Sequence, residues 1–150
     1  MVQAKGLGGA VMVITFCGHG RVSEPEKVKE WLCEALDQFI HEEKLTFYLG
    51  GCGGFDRMAA SVVREKKKLN PSAQSVLVIP YLNRQYDEKS YDYTLYSPLE
   101  NVPFRFAISK RNEWMVSEAD VVIAYVTHGW GGAAKTLEYA RRSGKKVISY

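Results

Sequence analysis

The chain has 150 residues, 46% of them hydrophobic and 25% charged, and these values are typical of one globular domain with a substantial core. The formal net charge of +3 is spread over dispersed basic residues, so we expect no nucleic acid partner. No apolar run approaches the ~20 residues of a membrane span, and we expect no membrane association. Three cysteines without metal-type spacing favour reduced thiols in the cytoplasm, with no metal and no cofactor.

Residues 1–11 show no periodicity and predict a flexible leader or an expression remnant, followed by a single domain over 12–150. From there the chain alternates short apolar runs with amphipathic stretches, which predicts alternating strands and helices. Before the first helix, Ser23 is positioned as the N-cap of a capping box that Glu26 closes. The predicted strands are 11–17, 45–49, 75–80, 120–126 and 146–150, and the predicted helices are 24–42, 55–69, 107–118 and 132–143.

Strands that are apolar throughout and separated by helices indicate a parallel sheet covered on both faces. The predicted fold class is therefore α/β, a Rossmann-like three-layer sandwich whose mostly parallel sheet has about five to six strands. The tyrosine-rich segment 81–97 is too long for a tight connection and is either a lid or a packed surface excursion. Such sheets bind ligands beyond the carboxyl ends of their strands, and three glycine-bearing stretches follow predicted strands there.

The stretch "YLGGCGGFDRMAA" (48–60) contains the densest of these glycine groups. Glycines permit close backbone approach to a ligand, but they are equally suited to tight turning. Asp56 could cap the following helix or accept hydrogen bonds from a ribose. The candidate ligand-binding residues in this stretch are Gly51, Gly53, Gly54 and Asp56.

The stretch "FCGHG" (16–20) supplies a second set of candidates. His19 could donate to a ligand or face solvent, and Arg21 could pair with a phosphate or lie along the surface. Cys17 and Cys52 both lie beside glycine turns, where a small buried thiol is the default and a redox pair the alternative. The candidate ligand-binding residues here are Gly18, His19, Gly20 and Arg21.

Arg111 shares an apolar helical stripe with Ile108 and Met115. A buried arginine needs an acidic or phosphate partner, so Arg111 is either in a structural salt bridge or bound to a phosphate or carboxylate of a ligand. Further along the chain, Gly131 and Gly132 open the last long helix. The unpaired amides and the positive dipole end of that helix attract an anion.

Two polar residues follow in the same helix. Thr136 lies one turn inside it and is a further ligand-binding candidate. Glu138 points away from the apolar stripe, and an exposed i,i+4 pair with Arg142 is its favoured role. An outward glutamate could still serve a site that a second subunit completes.

The stretches "FCGHG", "GGCGGFDRMAA", "RNEWMVSEADVVIAYV" and "GGAAKTLEYARRSGKKVI" resemble the SLOG superfamily, and most closely its YpsA-like branch of bacterial proteins. The resemblance covers about residues 12–150. It implies a Rossmann-like fold that binds nucleotides or nucleotide-derived ligands at the strand-end rim, and it adds Asn112 to the ligand-binding candidates. The first motif of the branch usually reads Phe-Thr-Gly-His-Arg; here Cys17 replaces the threonine and Gly20 the arginine, with Arg21 one place later.

The same superfamily contains the LOG phosphoribohydrolases, which cleave a base from a nucleoside monophosphate. Their phosphate loop resembles Pro-Gly-Gly-x-Gly-Thr-x-x-Glu. Gly131, Gly132 and Glu138 match that spacing, whereas three other positions are replaced, by Trp130, Ala134 and Lys135. The resemblance implies that Glu138 and Arg111 are the catalytic candidates, acting on an oxocarbenium-like state. LOG relatives also pair through helices, which implies a homo-oligomer.

We therefore expect a small cytoplasmic protein that binds a nucleotide or nucleotide-derived molecule, as a sensor or sequestering module. Phosphate is expected near Arg111 and the last helix, the base or ribose at the 50–56 turn and the His19 loop, and segment 81–97 over the ligand. The alternative is a nucleotide N-glycoside hydrolase similar to LOG, acting through Glu138 and Arg111. A DNA-handling role, by resemblance to the SLOG-containing DprA, needs a basic stripe that this dispersed charge does not supply.

Overall fold

The computed structural model describes residues 10–80, 85–98 and 101–150. Across these ranges it contains six strands and four α-helices. The predicted leader over residues 1–11 lies almost entirely outside them. The strands are β1 (Met12–Gly18), β2 (Leu45–Leu49), β3 (Gln74–Ile79), β4 (Tyr93–Tyr96), β5 (Val121–Tyr125) and β6 (Lys146–Ser149), and the helices are α1 (Pro25–Asp37), α2 (Gly54–Lys66), α3 (Ala107–Glu118) and α4 (Gly132–Arg142).

All six strands join one sheet in the order β4-β3-β2-β1-β5-β6, and every pair of neighbours is parallel. The chain first adds strands on one side of β1 and then returns to add β5 and β6 on the other. The order therefore reverses beside β1, where the carboxyl ends of β1 and β5 are adjacent. The predicted α/β Rossmann-like fold is confirmed.

The two faces of the sheet carry separate apolar cores because side chains of a strand alternate between its faces. From β1, Ile14 and Phe16 pack with α1 and α2, whereas Val13 and Cys17 pack with α3 and α4. The strands of the inner sheet are buried throughout, which explains their unbroken apolar sequences. This double covering leaves the edge formed by the strand carboxyl ends as the place where loops meet.

The structure corrects the predicted set of elements within segment 81–97. Residues 81–84 lie outside the described ranges, but the remainder contributes β4, which the sequence analysis did not predict. The strand is held at its start by Asp92, whose amide donates to Ser75 Oγ at 3.0 Å and whose carboxylate accepts from the Ser75 amide at 2.8 Å. The described part of the segment is thus an edge strand with the loop that leads into it, and its alternation of tyrosines with polar residues hides the strand pattern.

The predicted cap of α1 is wrong. The N-cap residue is Glu24, in the left-handed conformation with φ 49°, and not Ser23. The Ser23 amide instead donates to the Tyr125 hydroxyl at 3.0 Å, which fixes this residue outside the helix. Pro25 then occupies the first helical turn, where its fixed φ is favourable.

Within the described ranges, none of the helices combines the length and the apolar character that crossing a bilayer requires.

Candidate functional site

Three loops converge at the reversal of strand order, at the carboxyl ends of β1, β2 and β5. We call them the rim: residues 19–24 after β1, 50–53 after β2 and 126–131 after β5. In open parallel sheets this is the location of ligand sites, because crossovers leave a crevice where the order reverses. The rim includes the three glycine-bearing stretches that the sequence analysis placed together.

Hydrogen bonds join the β1 loop to the loops on either side of it. On one side the Gly54 amide donates to Gly20 O at 2.8 Å and the Phe55 amide to His19 O at 3.3 Å. On the other side the Thr127 amide donates to His19 Nε2 at 2.8 Å, and the His19 amide donates to Tyr125 O at 3.2 Å. The rim is therefore one connected surface whose parts are positioned before any ligand arrives.

Two helices begin at the rim with matching glycine caps. Gly53 precedes α2 with φ 93° and ψ 171°, and Gly131 precedes α4 with φ 92° and ψ 177°. This conformation is open essentially to glycine alone. A glycine cap offers no side-chain oxygen to the first amides of its helix, which have no intrahelical acceptors. In α2 the amides of Gly54 and Phe55 already donate to the β1 loop, so the first amides of α4 are the ones suited to an anion.

The glycines of the rim divide into those that packing requires and those that it does not. A Cβ on Gly18 would lie 2.3 Å from Phe55 Cδ2, one on Gly51 would lie 2.6 Å from Leu77 Cδ1, and one on Gly54 would lie 2.7 Å from Gly20 O. By contrast, the Cβ positions have nothing within 4 Å at Gly20, Gly129, Gly131 and Gly132. The β2 turn is thus tightly packed, and the open backbone is at the start of α4.

Arg111 joins α3 to the ends of β2 and β3. Its side chain is 2% exposed, and Nη1 donates to Gly50 O at 3.0 Å and to Val78 O at 2.7 Å. Nε donates to Asn112 Oδ1 at 2.9 Å, so Asn112 orients the guanidinium. Of the two roles predicted for Arg111, its contacts favour the structural one. The guanidinium also borders a small cavity, described below.

Asp56 lies beside Arg111 at the β2 turn. A Cβ on Gly50 would be 3.0 Å from Asp56 Oδ2 and 3.1 Å from Arg111 Cζ, so both charged groups press against this glycine. Asp56 does not cap α2, because Gly53 does; its Oδ2 accepts from the Cys52 amide at 3.2 Å. Burial raises the pKa of Asp56 from 3.8 to about 6, and Arg111 and the Cys52 amide oppose that rise.

Two small cavities lie beside the β2 turn, and Gly51 lines both. One of about 110 Å³ is lined by Arg111, Cys52 and Tyr86 among others. The other, of about 230 Å³, is lined by residues including Arg57, Arg64 and Tyr91. The tyrosine-rich segment thus lies against the 50–56 turn, the position in which a cover for a ligand was expected.

Three aromatic rings cross the rim from the β1 loop to the β5 loop. His19 stacks on His128 with ring centroids 3.9 Å apart and planes at 16°, and His128 stacks on Trp130 at 3.8 Å and 18°. Trp130 is 72% exposed. The sequence analysis missed His128 and treated Trp130 only as a departure from a phosphate loop; the one available signal was the "HGW" triplet directly before the glycine pair.

We predict that the contact between these loops weakens in acid. Burial, and to a lesser degree His128, lowers the pKa of His19 below its ordinary 6.5, and an added proton would occupy the Nε2 that accepts from Thr127. The unfolded chain then binds more protons than the folded one near pH 6.5, so this stability is present above pH 6.5 and is lost as pH falls through the lower folded pKa.

Thermal denaturation between pH 7 and pH 5 measures this effect. The melting temperature of the wild type should fall more steeply than that of His19→Phe, which keeps a ring for stacking but has no titrating nitrogen. Equal slopes for the two proteins would show that His19 does not carry the pH dependence.

The remaining predicted residues take ordinary positions. Thr136 is buried and its hydroxyl donates to Gly132 O at 2.9 Å within α4. Glu138 and Arg142 form the i,i+4 pair at 3.6 Å, with side chains 68% and 67% exposed. Arg21 is exposed on the β1 loop. The structure therefore places Glu138 on the solvent face of α4, while Arg111 is buried at the β2 and β3 ends.

The cysteines have different surroundings. Cys17 is buried, Cys33 is half-buried and Cys52 is exposed, and all three are free thiols. Burial, with Asp56 nearby, raises the pKa of Cys17 to about 12, so its thiol stays protonated. Cys17 thus matches the small buried thiol predicted for it, whereas the same prediction is wrong for Cys52, which is exposed.

Comparison with known proteins gives distant relatives. No protein-family profile matches the chain. The uncharacterized SPbeta prophage-derived protein YoqJ of Bacillus subtilis (strain 168) is 22% identical over 140 residues, which cover 78% of this chain and 82% of YoqJ. This identity is too low to assign a family.

Solved structures with the same fold include three of different kinds. TM1055 aligns with a TM-score of 0.64 at 18% identity, over 92% of this chain and 73% of its own. DNA processing protein A (DprA) of Streptococcus pneumoniae aligns with 0.66 at 20%, over 93% of this chain but only 50% of its own. The molybdenum cofactor carrier protein of Chlamydomonas reinhardtii aligns with 0.61 at 15%, over 93% and 76%. At these identities the likeness establishes the fold alone.

The exclusion of nucleic acid as a partner is wrong. DprA of Helicobacter pylori aligns with a TM-score of 0.63 at 16% identity, over 92% of this chain and 64% of its own, and it is described as having a single-stranded DNA binding mode. The argument from net charge fails for a physical reason: loop amides and helix N-termini contact phosphates without any basic stripe. A dispersed charge of +3 therefore does not exclude nucleic acid.

Taken with the topology, these neighbours show a Rossmann-like α/β fold for the chain.

Proposed function

We propose that this chain is a binding module of the YpsA-like kind, which holds a nucleotide-type ligand, either free or as part of a single-stranded nucleic acid, at the rim. The phosphate lies against the first amides of α4. One observation carries the proposal: α4 begins at a glycine cap in a glycine-only conformation, and nothing lies within 4 Å of the Cβ positions of Gly131 and Gly132.

The φ of 92° requires glycine at Gly131, but neither φ nor packing requires it at Gly132, where close approach of an anion to the helix amides favours it. The positive end of the helix dipole adds to the attraction. Arg21 is exposed on the β1 loop and adds a cation to the rim. These features suit a phosphate group, since its oxygens accept several N–H donors at once.

The rest of the ligand extends along the connected loops. Ribose contacts are proposed for the β1 loop and the β2 turn, with Asp56, Arg111 and Asn112 holding the turn in place. The residues proposed to contact the ligand or to shape its site are Gly18, His19, Gly20, Arg21, Gly51, Gly53, Gly54, Asp56, Arg111, Asn112, Gly131, Gly132 and Thr136. A molybdenum cofactor carrier and a single-stranded DNA binder share the fold, which supports binding as the function.

Native mass spectrometry of the purified protein tests the proposal. It is recorded after incubation with AMP, NAD, ADP-ribose, a cyclic dinucleotide and a short oligodeoxyadenylate, and the small molecules are then chromatographed. Retention of an unchanged nucleotide or of the oligonucleotide supports the proposal. Comparing the free nucleotides with the oligonucleotide shows whether the bound phosphate belongs to a free nucleotide or to a single-stranded nucleic acid. Release of free base would indicate an N-glycoside hydrolase instead, and retention of none of them would refute binding at the rim.

A further inference from the structure

We propose that the exposed face of Trp130 is a stacking platform for the base of the ligand, so that one short segment binds both the base and its phosphate. The inference rests on the proposed function and specifies which part of the ligand the β5 loop recognises. It assigns a positive role to the residue that departs from the phosphate-loop pattern.

The order of the rings follows from their distances. His19 and Trp130 each lie within 4 Å of the His128 centroid and nearly parallel to it. At such short distances from His128, the His19 and Trp130 rings could not lie on the same face of His128 without overlapping each other. They therefore lie on opposite faces, and Trp130 ends the stack with its outer face towards solvent.

The stack also holds Trp130 in position. His19 is fixed by the Thr127 amide at 2.8 Å and contacts Tyr125 edge-on with ring centroids 5.7 Å apart. A tryptophan that is 72% exposed on a loop would ordinarily lose side-chain freedom on binding a ligand. Here His128 restricts the indole beforehand, which reduces that cost.

The surroundings favour a ring that carries a phosphate over other aromatic partners. Trp130 directly precedes Gly131 and Gly132, so the platform and the α4 amides are adjacent along the chain. The Cβ positions of Gly129 and Gly131 have nothing within 4 Å beyond their chain neighbours, so the backbone on both sides of Trp130 is uncrowded. Any base has a π face, so the platform selects for a base without selecting which one.

A buried polar atom at the same place is a second and independent observation. Among the described residues, His128 Nδ1 is the one buried side-chain nitrogen or oxygen atom that finds no hydrogen-bond partner. Unpaired buried atoms are rare and costly in folded proteins. Nδ1 lies in the plane of the His128 ring, so a ligand group reaches it past the edge of the indole and not through its outer face. A phosphate or ribose oxygen beside the stacked base is suited to that position, whereas an apolar partner is not.

Isothermal titration calorimetry with AMP, ribose 5-phosphate and a short oligodeoxyadenylate tests the platform. We expect the wild type to bind AMP or the oligonucleotide more tightly than ribose 5-phosphate. Trp130→Ala should lower the affinity for the base-bearing ligand by about tenfold or more and leave the affinity for ribose 5-phosphate unchanged. Trp130→Phe should retain most of the affinity for both. Leu69→Ala is the matched control, since Leu69 is 59% exposed and lies beyond the C-terminus of α2.

The outcomes separate the two proposals. If Trp130→Ala binds base-bearing ligands as tightly as the wild type, the platform is refuted while binding at the rim stands. If Trp130→Ala lowers the affinity for ribose 5-phosphate as much as the affinity for the base-bearing ligands, Trp130 supports the phosphate site and the platform is again refuted. If the wild type binds none of the three probes, both proposals fail together.

Discussion

Replacing Arg111 with alanine should lower the free energy of unfolding by about 3–5 kcal/mol, the loss typical of removing one partner from a buried charged group. The side chain is 2% exposed and donates to two backbone carbonyls, those of Gly50 and Val78. Its removal leaves both acceptors without this donor and deprives the half-buried Asp56 of its neighbouring cation. Urea denaturation followed by circular dichroism measures the change.

Arg142→Ala is the matched control. It removes an arginine that is 67% exposed and paired only at the surface with Glu138, so its effect should stay within about 0.5 kcal/mol. A loss below about 1 kcal/mol for Arg111→Ala would contradict the structural role assigned to Arg111. In that case its charge would be available chiefly to a ligand.

Replacing Gly132 with proline should weaken nucleotide binding by about tenfold to a hundredfold, the value of one hydrogen bond to a charged group. Gly132 is the first residue of α4, where proline is well tolerated because its fixed φ suits the helix and its missing N–H has no intrahelical acceptor. The substitution therefore deletes one amide donor while the helix is retained. Calorimetric titration with the nucleotide identified by mass spectrometry measures the loss.

Gly132→Ala separates the amide from the side chain. It keeps the N–H and places a methyl group where nothing lies within 4 Å, so its unfolding stability and helix content should match those of the wild type. If the proline variant bound as tightly as the alanine variant, the amide of Gly132 would not contact the ligand. If both lost affinity equally, crowding by the Cβ would be the cause instead.

The layers of the fold were predictable because they depend on local patterns. Continuous apolar runs such as 121–126 and the helical stripe of α2 are visible in the sequence and need no knowledge of their partners. β4 escaped prediction because Tyr93–Tyr96 is an edge strand whose side chains are half-buried or exposed, so its pattern is mixed. The cap of α1 was mispredicted because the competitor for Ser23 is Tyr125, 102 residues away.

The site was predictable in location but only partly in detail. In a parallel sheet the loops after the strands all lie at one edge, so the glycine loops could be placed together without knowing any contact between their residues. Which glycines packing requires depends on Phe55 and Leu77, whose approach the sequence does not reveal. The ring stack joins His19 to His128 across 109 positions of the chain, and the Arg111 guanidinium contacts Gly50 across 61. No periodicity in the sequence indicates contacts between residues so far apart.

The central claim is that a phosphate-bearing ligand binds at the start of α4. The most direct test is a ¹H–¹⁵N correlation spectrum of the wild-type protein, titrated with the nucleotide that mass spectrometry identifies. We predict that the largest amide shifts occur at Gly131, Gly132 and Ala133, with smaller ones at Gly53 and Gly54. Shifts confined to Tyr86, Tyr91 and the rest of the cavity lining, with α4 unaffected, would contradict the account and place the ligand under the tyrosine-rich segment.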